Sequence, residues 1–346
     1  MGEARPDRCL VTGASGFIGV HLAQRLVGEG YEVRCLVRTT SDTSPLAALD
    51  LEFVRGDLTH ARAVADVAAG CDLVVHCGAL VSDWAAVEEI RRVNVGGTRN
   101  VLDAALGASV RRLVHISTTD VYGSPGGRGI DERHSQAGFA NWYSQTKREA
   151  EVQVRGFERR GLEVVILRPA TVYGPGSKEV VGEMAKAISR RQMLMIDGGR
   201  SIAGLVYVEN LVDAVLLALR EKAAAGEAFN VTDGLDVTWK RFLGDLATGL
   251  GCAPPRWSLP YNVAHGIATP LEHGYRALHK LTGVTSPALL SRQAVDVLGR
   301  DQDFSNLRIR EALGWEPRVT YAAGLEATLA WLRQEYLPAL GLASGA

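Results

Sequence analysis

The stretch Val11-Thr12-Gly13-Ala14-Ser15-Gly16-Phe17-Ile18-Gly19 decides how the rest of the chain is read. An apolar run at 9–12 ends abruptly in glycine, and Phe17, Ile18, Leu22 and Leu26 then recur at helical spacing. Gly13 permits a tight turn, Gly16 lets backbone approach a pyrophosphate, and Gly19 allows the helix to pack close to the strand. The start of that helix offers free N–H groups and the positive end of a dipole to an anion. Residues 32–37 read as a second strand, so strand, turn, helix and strand follow within about 30 residues. A glycine triplet alone is a weak signal and is often only a structural turn. Its place at the first strand-to-helix turn points instead to a dinucleotide.

Outward from this loop the alternation persists. Strands are expected at 51–54, 73–77, 112–117 and 164–168, and helices at 61–69, 93–105 and 143–160. Such alternation, with strands this apolar, predicts an α/β fold: a Rossmann-type doubly wound parallel sheet covered on both faces. After Gly174 the rhythm breaks. A helix and a turn are expected at 176–200, short strands at 205–208 and 228–231, and a helix at 211–220. The expected organisation is a dinucleotide-binding domain over 7–175, with contributions from about 201–233. A smaller substrate-binding domain comes from 176–200 and 234–346. Within it, 263–281 carries the stripe Val263, Ile267, Leu271, Tyr275, Leu278 and Leu281, and Pro270 is expected to bend or break that helix. The plain reading is a helix pair packed inside the substrate domain. The sharper one is a lid whose apolar face meets the substrate or a membrane surface.

Composition bounds the partners. With 346 residues, the chain is too long for one small core. The net charge of −1 gives no electrostatic reason to expect nucleic acid or an anionic membrane. No apolar run is long enough to span a bilayer, and residues 1–7 are short and polar, so a cytoplasmic protein is expected. The five cysteines, Cys9, Cys35, Cys71, Cys77 and Cys252, include no CxxC and read as reduced thiols rather than a metal site.

The second strand ends Val37-Arg38-Thr39-Thr40-Ser41, where a carboxylate would favour NAD by bonding the ribose 2′-hydroxyl. None is present. Arg38 and the hydroxyls beside it suit a 2′-phosphate, so NADP is favoured over NAD. The alternative is a solvated surface arginine.

Tyr143-Ser-Gln-Thr-Lys147 places a phenol and an ammonium one helical turn apart, on one face. A free tyrosine titrates near ~10 and is a poor acid–base group at neutral pH. A neighbouring cation and an oxidised nicotinamide stabilise the phenolate and bring it toward the working range. Lys147 can also bond the nicotinamide ribose. YxxxK is common by chance on exposed helices. It gains weight from Ser117-Thr118-Thr119-Asp120-Val121-Tyr122-Gly123 at the end of a strand, where hydroxyls face the ligand crevice. Thr118 is expected to hold the substrate oxygen, with Ser117 nearer the cofactor and Thr119 a strand-end cap.

Taken together, these stretches resemble the extended short-chain dehydrogenases/reductases of the NAD-dependent epimerase/dehydratase superfamily, over essentially the full chain. Further matching segments are Gly56-Asp57-Leu58, Asn94-Val95-Gly96-Gly97-Thr98 and Arg168-Pro169-Ala170-Thr171-Val172-Tyr173-Gly174-Pro175. The resemblance implies a catalytic triad of Thr118, Tyr143 and Lys147. It implies cofactor contacts from Gly13, Ser15, Gly16, Phe17, Ile18, Gly19, Asp57 and Leu58 (the last two on adenine). Others come from Cys77, Gly78, Ala79, Ser117, Pro169, Ala170 and Val172, and Asn94 would steady the catalytic region. One departure is Cys77-Gly78-Ala79, where the family often has two alanines; Gly78 is expected to admit closer approach of the cofactor.

Nucleotide-sugar members carry an arginine for the substrate diphosphate five residues before the position of Val208; here that residue is Ala203, and Arg200 is out of register. Dehydratases follow the catalytic threonine with Asp-Glu, whereas this chain has Thr119-Asp120, and Asp120 reads as a cap. Trp239, Trp257, Trp315 and Trp331 read as packing. Residues 257–281, Leu313-Gly314-Trp315-Glu316-Pro317 and Val81-Ser82-Asp83-Trp84 resemble the 3β-hydroxysteroid dehydrogenase/isomerase branch. The leading expectation is therefore hydride transfer between nicotinamide and a secondary alcohol or ketone of a bulky, hydrophobic small molecule. A nucleotide-sugar epimerase or dehydratase is the alternative, and a non-catalytic dinucleotide sensor the second. The class also admits a homodimer.

Overall fold

The computed structural model describes residues 5–82, 85–123, 127–136, 141–282 and 291–342, with backbone alone for 272, 273 and 275–282. Six strands open the fold: β1 (Arg8–Thr12), β2 (Glu32–Val37), β3 (Glu52–Arg55), β4 (Leu73–His76), β5 (Arg112–Ile116) and β6 (Glu163–Pro169). Between them run α1 (Phe17–Gly28), α2 (Ala61–Ala68), α3 (Val87–Arg91), α4 (Thr98–Gly107) and α5 (Trp142–Glu158). With the strand Ala228–Val231 on the outer edge of β6, they form a seven-stranded parallel sheet in the order Ala228–Val231, β6, β5, β4, β1, β2, β3.

Two-residue alternation sorts the strand side chains to opposite faces. Cys9, Val11, Leu73, Val75, Val114 and Ile116 pack under α1 and the helix Val208–Arg220. Leu10, Val74, Leu113, Val164 and Ile166 pack on the other face, with residues of α2, α4 and α5. Both faces are covered, which is why these strands lack a polar side. The chain runs outward from β1 to β2 and then crosses back to β4, so the strand order reverses between β1 and β4. Ligands of such sheets bind beyond the strand ends at that reversal.

Most elements stand within two residues of where periodicity puts them. Near Asn94 the difference is larger: a π-type turn, Arg92–Gly97, precedes α4. Wide turns of this kind recur at functional sites. The helix Tyr261–Thr282 runs through Pro270 unbroken, correcting the expected break. A lost backbone hydrogen bond is tolerated inside a helix of 22 residues.

Its stripe is also not a core face. Val263, Ile267 and Leu271 are 47%, 41% and 47% exposed, whereas the small Ala264 and Ala268 are fully buried against Ile196 and Val295. Tyr275, Leu278 and Leu281, and the residues Asp83 and Trp84, lie outside the described side chains. Trp239, Trp315 and Trp331 are buried as expected, but Trp257 is 75% exposed. No helix among the described residues is long and apolar enough to cross a membrane, and none of their His, Cys, Asp and Glu residues cluster for a metal.

Candidate active site

The glycine loop is built by close approach. Gly13 has φ +71°, and a Cβ there would lie 2.7 Å from the Gly78 amide nitrogen. A Cβ on Gly19 would lie 2.1 Å from the Gly13 carbonyl oxygen. Neither position admits a side chain. Gly16 begins α1 with no side-chain cap, and the first turn carries no carboxylate, so the positive helix end is open to an anion. The donor set thus fits a dinucleotide pyrophosphate. Ser15 and Ile18 are half-buried on this turn; Phe17 packs edge-on against His21 at 5.7 Å.

At the adenosine end, Asp57 accepts from the Thr59 amide at 2.8 Å and its hydroxyl at 2.7 Å. Those bonds hold its carboxyl below the usual range, with Arg38 contributing. Arg38 is exposed, its carbonyl accepts from Arg55 at 2.9 Å, and its amide donates to Ser41 at 3.2 Å. Leu58 fills the space that the family's alanine would take: a Cβ on Gly78 would lie 2.7 Å from Leu58 Cδ1. Gly78 thus admits Leu58 rather than opening a gap. Cys77 and Ala79 flank it, half-buried. Pro169 ends β6, the Ala170 amide donates to Val231 at 3.0 Å, and Val172 lies in a short strand paired with Leu205–Tyr207.

Thr118 follows β5 as the cap of a short 3-10 turn, and the first turns of α5 carry Tyr143 and Lys147. Thr118 Oγ1 accepts from the Asp120 amide at 3.2 Å, leaving the hydroxyl proton to donate. Asn141 caps α5 through the Ser144 amide at 2.7 Å, and the Ser144 hydroxyl donates to the Asp120 carbonyl at 2.7 Å, fixing the first turn that carries Tyr143. Lys147 is buried and donates to the Ile116 carbonyl at 2.6 Å. Burial lowers its ammonium to about 8, against the pull of Glu151 and Cys77. Tyr143 differs from expectation. Burial raises its phenol, and the Asp120 charge adds to this, so the protein's own groups keep it protonated.

Asn94 clamps the neighbouring loop. Its Oδ1 accepts from the Leu80 amide at 2.7 Å, and its Nδ2 donates to the Leu80 carbonyl at 3.1 Å and to Thr146 Oγ1 at 3.1 Å. Beside Lys147 lies a network that sequence reasoning missed. Glu151, one turn beyond Lys147, accepts from Ser117 Oγ at 2.5 Å, Gln136 at 2.6 Å and both prongs of Arg168. Burial alone would raise its carboxyl; Arg168 overcomes that and holds it below the usual range. Arg168 also donates to the Tyr122 hydroxyl at 2.7 Å, which donates to Asn230 at 2.8 Å. The signal for Glu151 was Arg168 itself, since a buried arginine needs a partner. From the far side, Gln293 donates to Asp120 Oδ2 at 3.0 Å.

A glycine-cradled strand-to-helix turn at the reversal point of a parallel sheet, with a Thr after β5 and a Tyr-x-x-x-Lys pair at the start of α5, defines a nicotinamide-linked enzyme of the extended short-chain type. The chain belongs to the NAD dependent epimerase/dehydratase family, which matches residues 9–232. Within it, the chain falls in the branch of 3β-hydroxysteroid dehydrogenases and related ketoreductases. It is 34% identical over 325 residues to the 4-hydroxy-2-methyl-3-oxo-4-farnesyl-3,4-dihydroquinoline-1-oxide ketoreductase of Stigmatella aurantiaca, covering 92% of this chain and 95% of that one. It is 29% identical to the 3-beta-hydroxysteroid dehydrogenase of Mycolicibacterium neoaurum, covering 90% and 88%. Among solved structures, DesIV, the dTDP-glucose 4,6-dehydratase of Streptomyces venezuelae with NAD and TYD bound, superposes with a TM-score of 0.78 at 25% identity, over 95% of this chain and 97% of that one.

Proposed function

We propose that this enzyme reduces the ketone of a bulky, largely apolar small molecule, and that NADPH serves it better than NADH. The observation that carries the substrate class is Ala203. It is fully buried among Tyr173, Leu205 and Phe242, at the position where nucleotide-sugar enzymes need an arginine. Arg200 does not replace it, since its Nε donates to the Asp197 carbonyl at 3.0 Å. A diphosphate without a charged partner forfeits some of the strongest hydrogen bonds available to it. Both curated relatives carry in their names a large apolar frame, a farnesyl chain or a steroid. Residues 176–200 and 234–346 are assigned the substrate side.

The cofactor supplies the hydride. The remaining work falls to the chain. The Thr118 hydroxyl donates to the ketone oxygen, and Tyr143, kept protonated by burial and Asp120, gives that oxygen its proton. Lys147 bonds the nicotinamide ribose and re-supplies charge near Tyr143 once the phenol has lost its proton. The Gly13, Ser15, Gly16, Phe17, Ile18 and Gly19 turn would hold the pyrophosphate, and Arg38 and Ser41 would meet a 2′-phosphate. A nucleotide-sugar epimerase or dehydratase is the competing reading, since a structural neighbour is a dTDP-glucose 4,6-dehydratase.

The experiment is a nicotinamide absorbance assay with 3-oxosteroids and 2-alkyl-3-oxo acids on one side and UDP-glucose on the other. Substrate-dependent oxidation of NADPH by the ketones supports the reading. Conversion of the sugar nucleotide without net cofactor oxidation replaces it with the epimerase.

A further inference from the structure

We infer that His76 is a positioning residue for hydride transfer, locking the cofactor turn to the Asn94 clamp through a one-way chain of buried hydrogen bonds. The inference rests on the proposed nicotinamide chemistry but names a residue outside the triad and the cofactor cradle. His76 closes β4 and stands in the middle of a chain of four contacts, two of them its own. The Gly78 amide donates to Thr12 Oγ1 at 3.3 Å, Thr12 Oγ1 meets His76 Nδ1 at 2.7 Å, His76 Nε2 meets Thr98 Oγ1 at 2.9 Å, and Thr98 Oγ1 donates to the Asn94 carbonyl at 2.6 Å.

The direction follows from the ends. A carbonyl has no proton, so the single Thr98 hydroxyl proton goes to Asn94, and toward His76 Thr98 can only accept. Nε2 therefore carries the imidazole proton, Nδ1 offers its lone pair, and Thr12 donates to it. Every bond points from the cofactor turn to the clamp. Thr12, His76, Thr98 and Asn94 are each no more than 2% exposed, so no water competes. Burial and the charge of Lys147 keep the ring neutral, as the chain requires.

Both ends touch the proposed chemistry. The Gly78 amide is the atom that Gly13 crosses most closely, so it sets the height of the cofactor turn. Asn94 grips Thr146, the residue before Lys147. A shift at one end is passed to the other through rigid, proton-ordered contacts. Misplacement by about 1 Å between hydride donor and proton donor costs on the order of 100-fold in rate.

Packing alone does not explain His76, and the next strand supplies the control. His115 stands directly opposite it in the β4–β5 register, is equally buried, and its ring lies 5.3 Å away. Yet neither nitrogen of His115 has a hydrogen-bond partner among the described residues. Two histidines thus share one environment, and only one joins the clamp.

The test compares His76→Phe with His115→Phe, beside Thr98→Val, which breaks the same chain with little change of shape. NADPH and NADH affinities are read from nicotinamide fluorescence, and kcat and KM from absorbance with a 3-oxosteroid. His76→Phe and Thr98→Val are expected to lower kcat about 10- to 100-fold with KM changed less than about threefold. They should weaken both cofactors, and His115→Phe should leave all of these within about twofold. Combining His76→Phe with Thr98→Val should cost little more than the worse single variant, because both cut one chain. Equal losses in the two Phe variants, or independent losses in the double variant, overturn the inference. Should His76→Phe not fold, Thr98→Val decides by the same readings. Should the wild type fail to oxidise NADPH with any ketone, the proposed function falls. The cofactor affinities then still decide whether His76 sets the turn.

Discussion

Arg168 and Glu151 meet in a two-pronged ion pair beneath the end of β5, Nε to Oε1 at 2.9 Å and Nη2 to Oε2 at 2.7 Å, each side chain 2% exposed. The pair also engages Ser117 and Tyr122, so it joins β5, α5 and β6. Removing one partner strands a charge. Glu151→Gln is expected to cost about 3–5 kcal/mol in urea unfolding. Adding Arg168→Met should cost much less than a second such loss, since the stranded charge is then gone. Additive losses would show that the pair is not coupled.

Tyr143→Phe keeps the ring and removes the proton donor. Nicotinamide binding by fluorescence should persist, while ketone reduction falls by roughly 10²–10⁴. Near wild-type turnover would remove Tyr143 from the acid–base role.

Arg38→Ala tests the cofactor reading. Loss of a charge-assisted bond to a 2′-phosphate should weaken NADPH by roughly 10- to 100-fold and leave NADH almost unchanged. Equal weakening of both cofactors would leave Arg38 an ordinary surface charge.

In the first part of the helix Tyr261–Thr282, Ala264 and Ala268 are turned inward and Val263, Ile267 and Leu271 outward, and the two faces should respond oppositely. Ala268→Asp puts a charge against Ile196 and Val295, and should unfold that part of the chain or lower its melting temperature by several degrees. Ile267→Asp should shift stability by no more than about 0.5 kcal/mol. Strong destabilisation by Ile267→Asp would mean that its face is covered in solution.

His76 makes the fold sensitive to acid. Burial, with help from Lys147, lowers its ring to about 3 from an ordinary 6.5. As pH falls below 6.5 the unfolded chain takes up the proton first, so stability complete above 6.5 drains away toward 3. His76→Phe removes that contribution. The loss of stability between pH 7 and 4.5 should shrink by about 2 kcal/mol, and His115, lowered by burial in the same way, should leave a slope behind. An unchanged loss would show that His76 is not held neutral.

Local rules made the nucleotide half readable. Gly13 and Gly19 announce their turn because no side chain fits, and Tyr143 and Lys147 share a face because four residues make about one turn. What stayed hidden was long-range. Glu151 looks like any helix acid until Arg168 is found beside it, and Gln293 reaches Asp120 across 173 positions. His76 sits in a strand whose other residues are apolar, and nothing in Leu73-Val74-Val75 tells a linked histidine from a merely buried one. The stripe at 263–271 misled because periodicity says which residues share a face, not which face is turned inward. Ala264 and Ala268 hold the inner one.

The crossing of Gly13 and Gly78 restricts how this protein can be altered. Position 13 is closed to every side chain by backbone, whereas at position 78 a Cβ would meet the Leu58 side chain at 2.7 Å and the Thr12 hydroxyl at 3.2 Å. Two sites 20 residues apart are therefore coupled: a side chain at 78 requires the end of Leu58 to turn aside or a smaller residue to take its place. A library that randomises the turn after β4 alone should favour glycine and alanine over larger residues. One that varies 58 and 78 jointly should also recover a side chain at 78 with a smaller residue at 58, and with it a floor of different contour beneath the cofactor.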